Sequence, residues 1–125
     1  MNDDFRLAVG KHLLAIEERN LEALAATVAP EGALLVQSDG KVVRGTKEFL
    51  DIYRAWFALK HWRIDVKPIQ MSESAGLGVA LLNYAYREMP PGQPATLQLS
   101  VVSLVFQNRD GKWRMTQTQN TPLQK

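Results

Sequence analysis

Leu77-Gly78-Val79-Ala80-Leu81-Leu82-Asn83-Tyr84-Ala85-Tyr86-Arg87, followed by Thr96-Leu97-Gln98-Leu99-Ser100-Val101-Val102-Ser103-Leu104-Val105-Phe106-Gln107, decides the fold. Both runs carry apolar side chains on both parities. In the second run Leu97, Leu99, Val101 and Val105 share one face, and Val102, Leu104 and Phe106 the other. Successive side chains of a strand point to opposite sides of its sheet, so these two strands need a cover on each face. One cover is helical and lies upstream. The second is most simply another copy of the chain, giving a twofold homodimer, because monomers rarely expose large apolar patches.

The neighbouring segments complete a run of four strands. Trp62, Ile64, Val66 and Pro68 alternate with Arg63, Asp65 and Lys67, so that strand has one wet face. Met89-Pro90-Pro91-Gly92-Gln93-Pro94 is a loop between the two apolar runs. Asn108-Arg109-Asp110-Gly111 turns the chain into a last strand, Lys112 to Gln119.

Helices precede the strands. Phe5, Ala8, Val9, His12, Leu13 and Ile16 recur at helical spacing. Asn20 caps a second helix whose apolar face is Leu21, Leu24, Ala25 and Val28, and Pro30 and Gly32 end it. Ala33–Gln37, the turn Ser38-Asp39-Gly40 and Lys41–Arg44 read as a hairpin. Thr46 is the expected N-cap of a third helix, with Phe49, Ile52, Tyr53, Trp56 and Phe57 as a bulky stripe. Three helices, a hairpin and then four strands make an α+β chain, expected to form one domain over residues 1–125.

Composition narrows the function. With 15 basic and 13 acidic residues the net charge is only +2, and the basic residues are scattered, so neither nucleic acid nor an anionic membrane is an expected partner. The chain has no cysteine, which removes disulfides and thiol chemistry. No apolar stretch approaches the roughly 20 residues of a membrane span, and the acidic start Met1-Asn2-Asp3-Asp4 does not read as a secretory signal. A cytoplasmic protein is expected. His12 and His61 lack further ligands at metal spacing, and no phosphate-binding glycine loop or nucleophile elbow occurs, so no metal or cofactor is expected.

Ile16-Glu17-Glu18-Arg19-Asn20-Leu21-Glu22-Ala23-Leu24, Ala29-Pro30-Glu31-Gly32-Ala33, Asp39-Gly40-Lys41-Val42-Val43-Arg44-Gly45 and Arg109-Asp110-Gly111-Lys112-Trp113-Arg114, in this order and spacing, resemble the nuclear transport factor 2-like superfamily, which includes ketosteroid isomerases and SnoaL-like polyketide cyclases. The resemblance covers nearly the whole chain. It implies a cone: three N-terminal helices on a strongly curved, mainly antiparallel mixed sheet that encloses a pocket. It also implies dimers formed through the convex face. The carboxylate base of the isomerases falls on Val36, their oxyanion tyrosine on His12 and their protonated aspartate near Ser103. The steroid-isomerase reaction in its known form is therefore not expected, because valine cannot move a proton.

His12 is the candidate catalytic residue, since an ordinary imidazole titrates near pH 6.5. The alternative is a satisfied core histidine. Gln117 and Gln119 share parity with Trp113 and Met115, so they are expected to face the pocket and orient a ligand. Tyr53 and Trp56, with Tyr84 and Tyr86, are candidates to line an amphipathic cavity or simply to fill a core. Asn83 and Ser103 are unusual in an apolar interior and join the ligand-binding candidates, although parity admits only one of Asn83 and Tyr84. His61 and the hairpin residues Asp39 and Arg44 read as structural. Together these residues point to a small dimeric protein whose pocket takes a modest, mostly apolar organic molecule, as an isomerase, cyclase or dehydratase-type enzyme or as a binder. The alternative from another class is an association module with a filled pocket.

Overall fold

The computed structural model describes residues 3–123. Its elements run α1 (Asp3–Glu17), α2 (Leu21–Ala26), β1 (Leu34–Val36), β2 (Val42–Arg44), α3 (Thr46–Phe57), β3 (Trp62–Ser74), β4 (Leu77–Glu88), β5 (Thr96–Arg109) and β6 (Lys112–Pro122). The six strands form one sheet in the order β2-β1-β6-β5-β4-β3. All neighbours are antiparallel except β1 and β6, so the sheet is mixed. It is curved and open, with the helices packed on it, as an α+β cone requires.

Local chemistry places the helices. Asn20 caps α2 by accepting from the Ala23 amide at 3.0 Å. Thr46 does not cap α3: Gly45 holds the N-cap position and makes no side-chain cap bond. Thr46 Oγ1 instead donates to the Ala29 carbonyl (2.9 Å) and accepts from the Ala33 amide (3.2 Å), pinning the loop that leads into β1. The β1–β2 turn forms as the sequence suggests. Asp39 Oδ1 accepts from the Lys41 amide at 2.9 Å, and Gly40 takes the positive φ of 86° that a side chain would resist.

Two β-bulges bend the sheet. In β3, Pro68 lies opposite Leu82 and Gln70 opposite Leu81, so Ile69 is an extra residue. In β6, Met115 lies opposite Phe106 and Gln117 opposite Val105, so Thr116 is extra. An extra residue on one strand kinks it, increases its twist and reverses the parity beyond it. Pro68 is tolerated because β3 is an edge strand.

The core lies between the helices and the inner face. Phe5, Val9 and Ile16 of α1, Leu24 of α2 and Phe49 of α3 pack on Ala80, Leu82, Val102, Leu104, Phe106 and Met115. Gly78 is there because Phe5 needs its space. The Phe5 ring is buried, in edge contact with Phe106 at 5.8 Å. A Cβ on residue 78 would overlap that ring, lying 2.7 Å from its Cδ1. Gly78→Ala should therefore destabilise the fold by about 1–3 kcal/mol through overpacking. Adding Phe5→Leu to Gly78→Ala should cost less than the sum of the two single changes, as read by urea denaturation.

Candidate functional site

Inner-face side chains form rows across the sheet, and these rows build the site. Gly78, Phe106 and Met115 lie side by side at the end covered by Phe5. Next come Ala80, Leu104, Thr118 and Leu35, then Leu82, Val102 and Asn120, then Tyr84, Ser100 and Pro122, then Ile64, Tyr86 and Gln98. The rows grow more polar along this path. The end covered by Phe5 is packed solid. Beyond it a cavity of about 710 Å³ opens, bounded on the helical side by Ile52, Tyr53 and Trp56 of α3 and at the hairpin by Gln37, Ser38 and Asp39. That volume falls in the range of small-molecule sites.

The deepest polar groups of the cavity are the Tyr84, Ser100 and Thr118 hydroxyls, on residues that are each more than nine-tenths buried. None has a hydrogen-bond partner among the described residues, yet none is sealed away from the cavity. Asn120 Oδ1 is enclosed and also lacks a partner. Buried polar groups are normally paired, so this side of the cavity offers unfilled hydrogen-bonding capacity. Burial raises the Tyr53 phenol above its ordinary range. Burial, with Tyr53 and Glu17 nearby, does the same to Tyr84. Both are neutral donors at ordinary pH.

The outer part of the cavity is aromatic and acidic. Trp56 meets Tyr53 edge-on with ring centroids 5.5 Å apart, and its Nε1–H reaches the Tyr86 hydroxyl at 3.4 Å. Glu88 and Asp39 supply carboxylates at the exposed margin. Desolvation, then the Glu88 charge, push the Tyr86 phenol up.

Tyr53, Trp56, Tyr84 and Tyr86 thus share one cavity. The other residues singled out in the sequence stand elsewhere. Asn83 is exposed on the outer face, and it is its neighbour Tyr84 that points inward. Ser103 also faces outward, between the inward Val102 and Leu104. Gln117 and Gln119 were expected inside because Trp113 and Met115 are. The Thr116 bulge breaks that parity and turns Thr118 and Asn120 to the cavity instead. Asp39, read as purely structural, reaches the cavity margin with its turn. Sequence inspection missed Ser100, Thr118, Asn120 and Glu88. The polar runs Thr116–Thr121 and Gln98–Ser100 carried a signal for three of them, without the parity to use it.

His12 is fully buried and does not line the cavity. Its Nδ1–H donates to Thr27 Oγ1 at 2.8 Å, and that hydroxyl donates to the Leu24 carbonyl at 2.7 Å. Since the Thr27 proton is committed to Leu24, the imidazole must carry its proton on Nδ1. Nε2 is enclosed without a partner, and Phe106 lies edge-on at 5.8 Å. Burial lowers the His12 pKa to about 4. This histidine is a neutral core residue tying α1 to α2. Among the described residues no group of three or more His, Cys, Asp or Glu side chains is placed to hold a metal ion, and no helix is long and apolar enough to cross a membrane.

Comparison with known proteins agrees with this architecture. Residues 7–122 match the family model of the SnoaL-like domain. No curated protein matches the sequence. Among solved structures, a candidate dehydratase of the nuclear transport factor 2-like family from Streptomyces avermitilis superposes with a TM-score of 0.87 at 18% identity, covering 98% of this chain and 97% of that one. A ketosteroid isomerase-like protein from Erwinia carotovora atroseptica gives 0.80 at 13% identity, covering 98% and 95%. A candidate calcium/calmodulin-dependent protein kinase type II association domain from Thiobacillus denitrificans gives 0.78 at 19% identity, covering 95% and 94%. At such identities these likenesses establish the fold alone. The family match over residues 7–122 establishes more: the chain belongs to the SnoaL-like domain family, within the nuclear transport factor 2-like superfamily.

The His12 environment has a consequence for acid stability. A histidine at about 4 when folded and 6.5 when unfolded is neutral in both states above pH 6.5. Between these values only the unfolded chain binds the proton, so stability is lost as pH falls from 6.5 to 4. Wild type should lose about 3 kcal/mol more than His12→Leu between pH 7 and pH 4 in urea titrations, because the carboxylates are common to both proteins.

Proposed function

We propose, from its place in the SnoaL-like family, that this chain acts as one pocket domain over residues 1–125 and binds a modest, largely apolar organic molecule inside the cone. The observation that carries the reading is the set of unpartnered Tyr84, Ser100 and Thr118 hydroxyls facing an open cavity of about 710 Å³. A core built only for stability would have filled that volume or paired those groups. Trp56 and Tyr84 border the space without occluding it, which favours ligand binding over an association module with a filled pocket.

Isomerases, cyclases and dehydratases are frequent in this superfamily, so turnover of the bound molecule is a natural extension. His12 has no part in this reading, since its ring is outside the cavity and neutral at working pH. Any proton transfer falls to the Glu88 or Asp39 carboxylate at the margin, with the Tyr53 and Tyr84 phenols as hydrogen-bond donors to developing negative charge. The protein works as a homodimer in this reading. Support comes from the outer face of β4 and β5, where Leu77, Val79, Leu97 and Leu99 are 39–49% exposed beside Leu81, Val101 and Val105.

Ligand binding is tested by thermal shift across steroids, enones, aromatic alcohols, amines and acids. A ligand at 100 times its Kd should stabilise the fold by about 2.7 kcal/mol. Ser100→Phe, which projects a ring into the cavity, should abolish that shift while leaving the circular dichroism unchanged. Absence of any shift across the panel, or a shift that Ser100→Phe leaves intact, would remove the proposal. The dimer is tested by sedimentation at micromolar concentration. Wild type should run at twice its 14.1 kDa chain mass, and Leu97→Glu with Leu99→Glu should run as a monomer.

A further inference from the structure

We infer that the cavity takes a cationic organic molecule, an amine or quaternary ammonium with an apolar body, and rejects anions. This rests on the pocket reading above and adds the charge of the ligand. The chain as a whole is slightly basic, at +2, yet among the described residues no lysine, arginine or histidine lines the cavity. Among the described residues its formal charges are the carboxylates of Asp39 and Glu88. Glu88 has no ion-pair partner among the described residues. Asp39 has none either, although one of its oxygens is engaged by the Lys41 amide.

Aromatic faces reinforce this sign. Trp56, Tyr53 and Tyr86 border the same part of the cavity, with Trp56 centroids 5.5 Å from Tyr53 and 6.0 Å from Tyr86. The rings are tilted to one another by 72° and 56°, so they form walls and not a stack. Glu88 lies close enough to the Tyr86 hydroxyl to act on it. Ring faces carry partial negative charge and attract a cation, most strongly when it is desolvated. An ammonium seated by these rings would have Glu88 as its counter-charge. A carboxylate in the same place would meet two like charges and no donor cation among the described lining residues.

The Arg19 charge also reaches the Tyr86 phenol, where it opposes that of Glu88, but its guanidinium is held outside the cavity. Its guanidinium lies 4.0 Å over the Trp62 ring and donates to the Trp62 carbonyl. Trp56 stacks on Trp62 at 4.3 Å, and at these distances the two groups occupy opposite faces of that ring. Trp62 therefore separates Arg19 from Trp56, and Arg19 does not line the cavity. The polar groups on the inner side, the Tyr84, Ser100 and Thr118 hydroxyls, suit a carbonyl or hydroxyl on the body of the molecule.

The test uses nine probes: indane, naphthalene and adamantane, each carrying an aminomethyl, a hydroxymethyl or a carboxylate group. Binding to the purified protein is measured by calorimetry at pH 7.5 and low salt, where charge effects are least screened. On whichever scaffold fits, the amine should bind at least tenfold more tightly than the alcohol, and the carboxylate most weakly. Glu88→Gln should reduce amine affinity about tenfold and leave the alcohol unchanged. An alcohol or carboxylate that equals or exceeds its amine would overturn the inference while leaving the pocket reading standing, as would a Glu88→Gln variant with full amine affinity. No binding by any of the nine would overturn both.

Discussion

The bend of the sheet governs everything else in this molecule, and two inserted residues produce much of it. Ile69 in β3 and Thr116 in β6 each oppose nothing on the neighbouring strand. A regular sheet of the same strands would present one uniform inner face, and a layer of three short helices would pack flat on it. The bulges make the inner surface concave. Helix α1 then seals one end, with Phe5 pressed onto Gly78 and His12 against Phe106. Helix α3 spans the other end and leaves space beneath it. The cavity is thus the volume that a curved sheet and a straight helix cannot both fill.

The Thr116 bulge also separates core packing from cavity lining within a single strand. Before it, β6 contributes the buried Trp113 and Met115. After it, Thr118 and Asn120 turn to the cavity. The closed end is held by polar links as well as by packing. His12 reaches Thr27 of the α2 cap, and the Thr27 carbonyl accepts from the Met115 amide at 2.8 Å, so α1, α2 and β6 meet at one residue. Desolvation that strips the imidazole of its basicity also makes it a dependable neutral donor. A protonated His12 would leave an uncompensated charge in a dry core.

The sequence disclosed the elements better than the faces. Strand and helix positions follow from local periodicity, and Asn20, Asp39 and Gly40 act as their chemistry predicts. Tyr53 and Trp56 could be placed because an amphipathic helix has one apolar side. The two-sided strands gave no such guide. In β4 and β5 apolar residues occupy both parities, so nothing local distinguishes Asn83 from Tyr84, or Ser103 from Ser100, as the inward residue. In β6 parity seemed fixed by Trp113 and failed at Thr116, whose identity gives no warning of a bulge. Register belongs to the pairing of distant strands, and a single strand does not encode it. Thr46 shows the same limit at smaller scale: its hydroxyl suits a cap, but two backbone groups of the Ala29–Ala33 loop claim it first.

The two faces of the central strands carry different demands, and this explains their composition. Inward positions serve packing at one end and line the cavity at the other, so Ala80 and Leu82 give way to Tyr84 and Tyr86 along β4, and Phe106, Leu104 and Val102 to Ser100 and Gln98 along β5. Outward positions remain apolar along most of β5, from Leu97 through Val101 to Val105, with Ser103 the interruption. Solvent alone would favour polar residues there. A gradient inside and an apolar strip outside are separate features on the same backbone. Association through the outer strip would cover the back of the rows that form the cavity, stiffening the floor on which Tyr84 and Ser100 are displayed. Unpaired hydroxyls keep a fixed direction only when their backbone cannot relax toward other partners, so cover on the outer face would hold the inner hydroxyls in place.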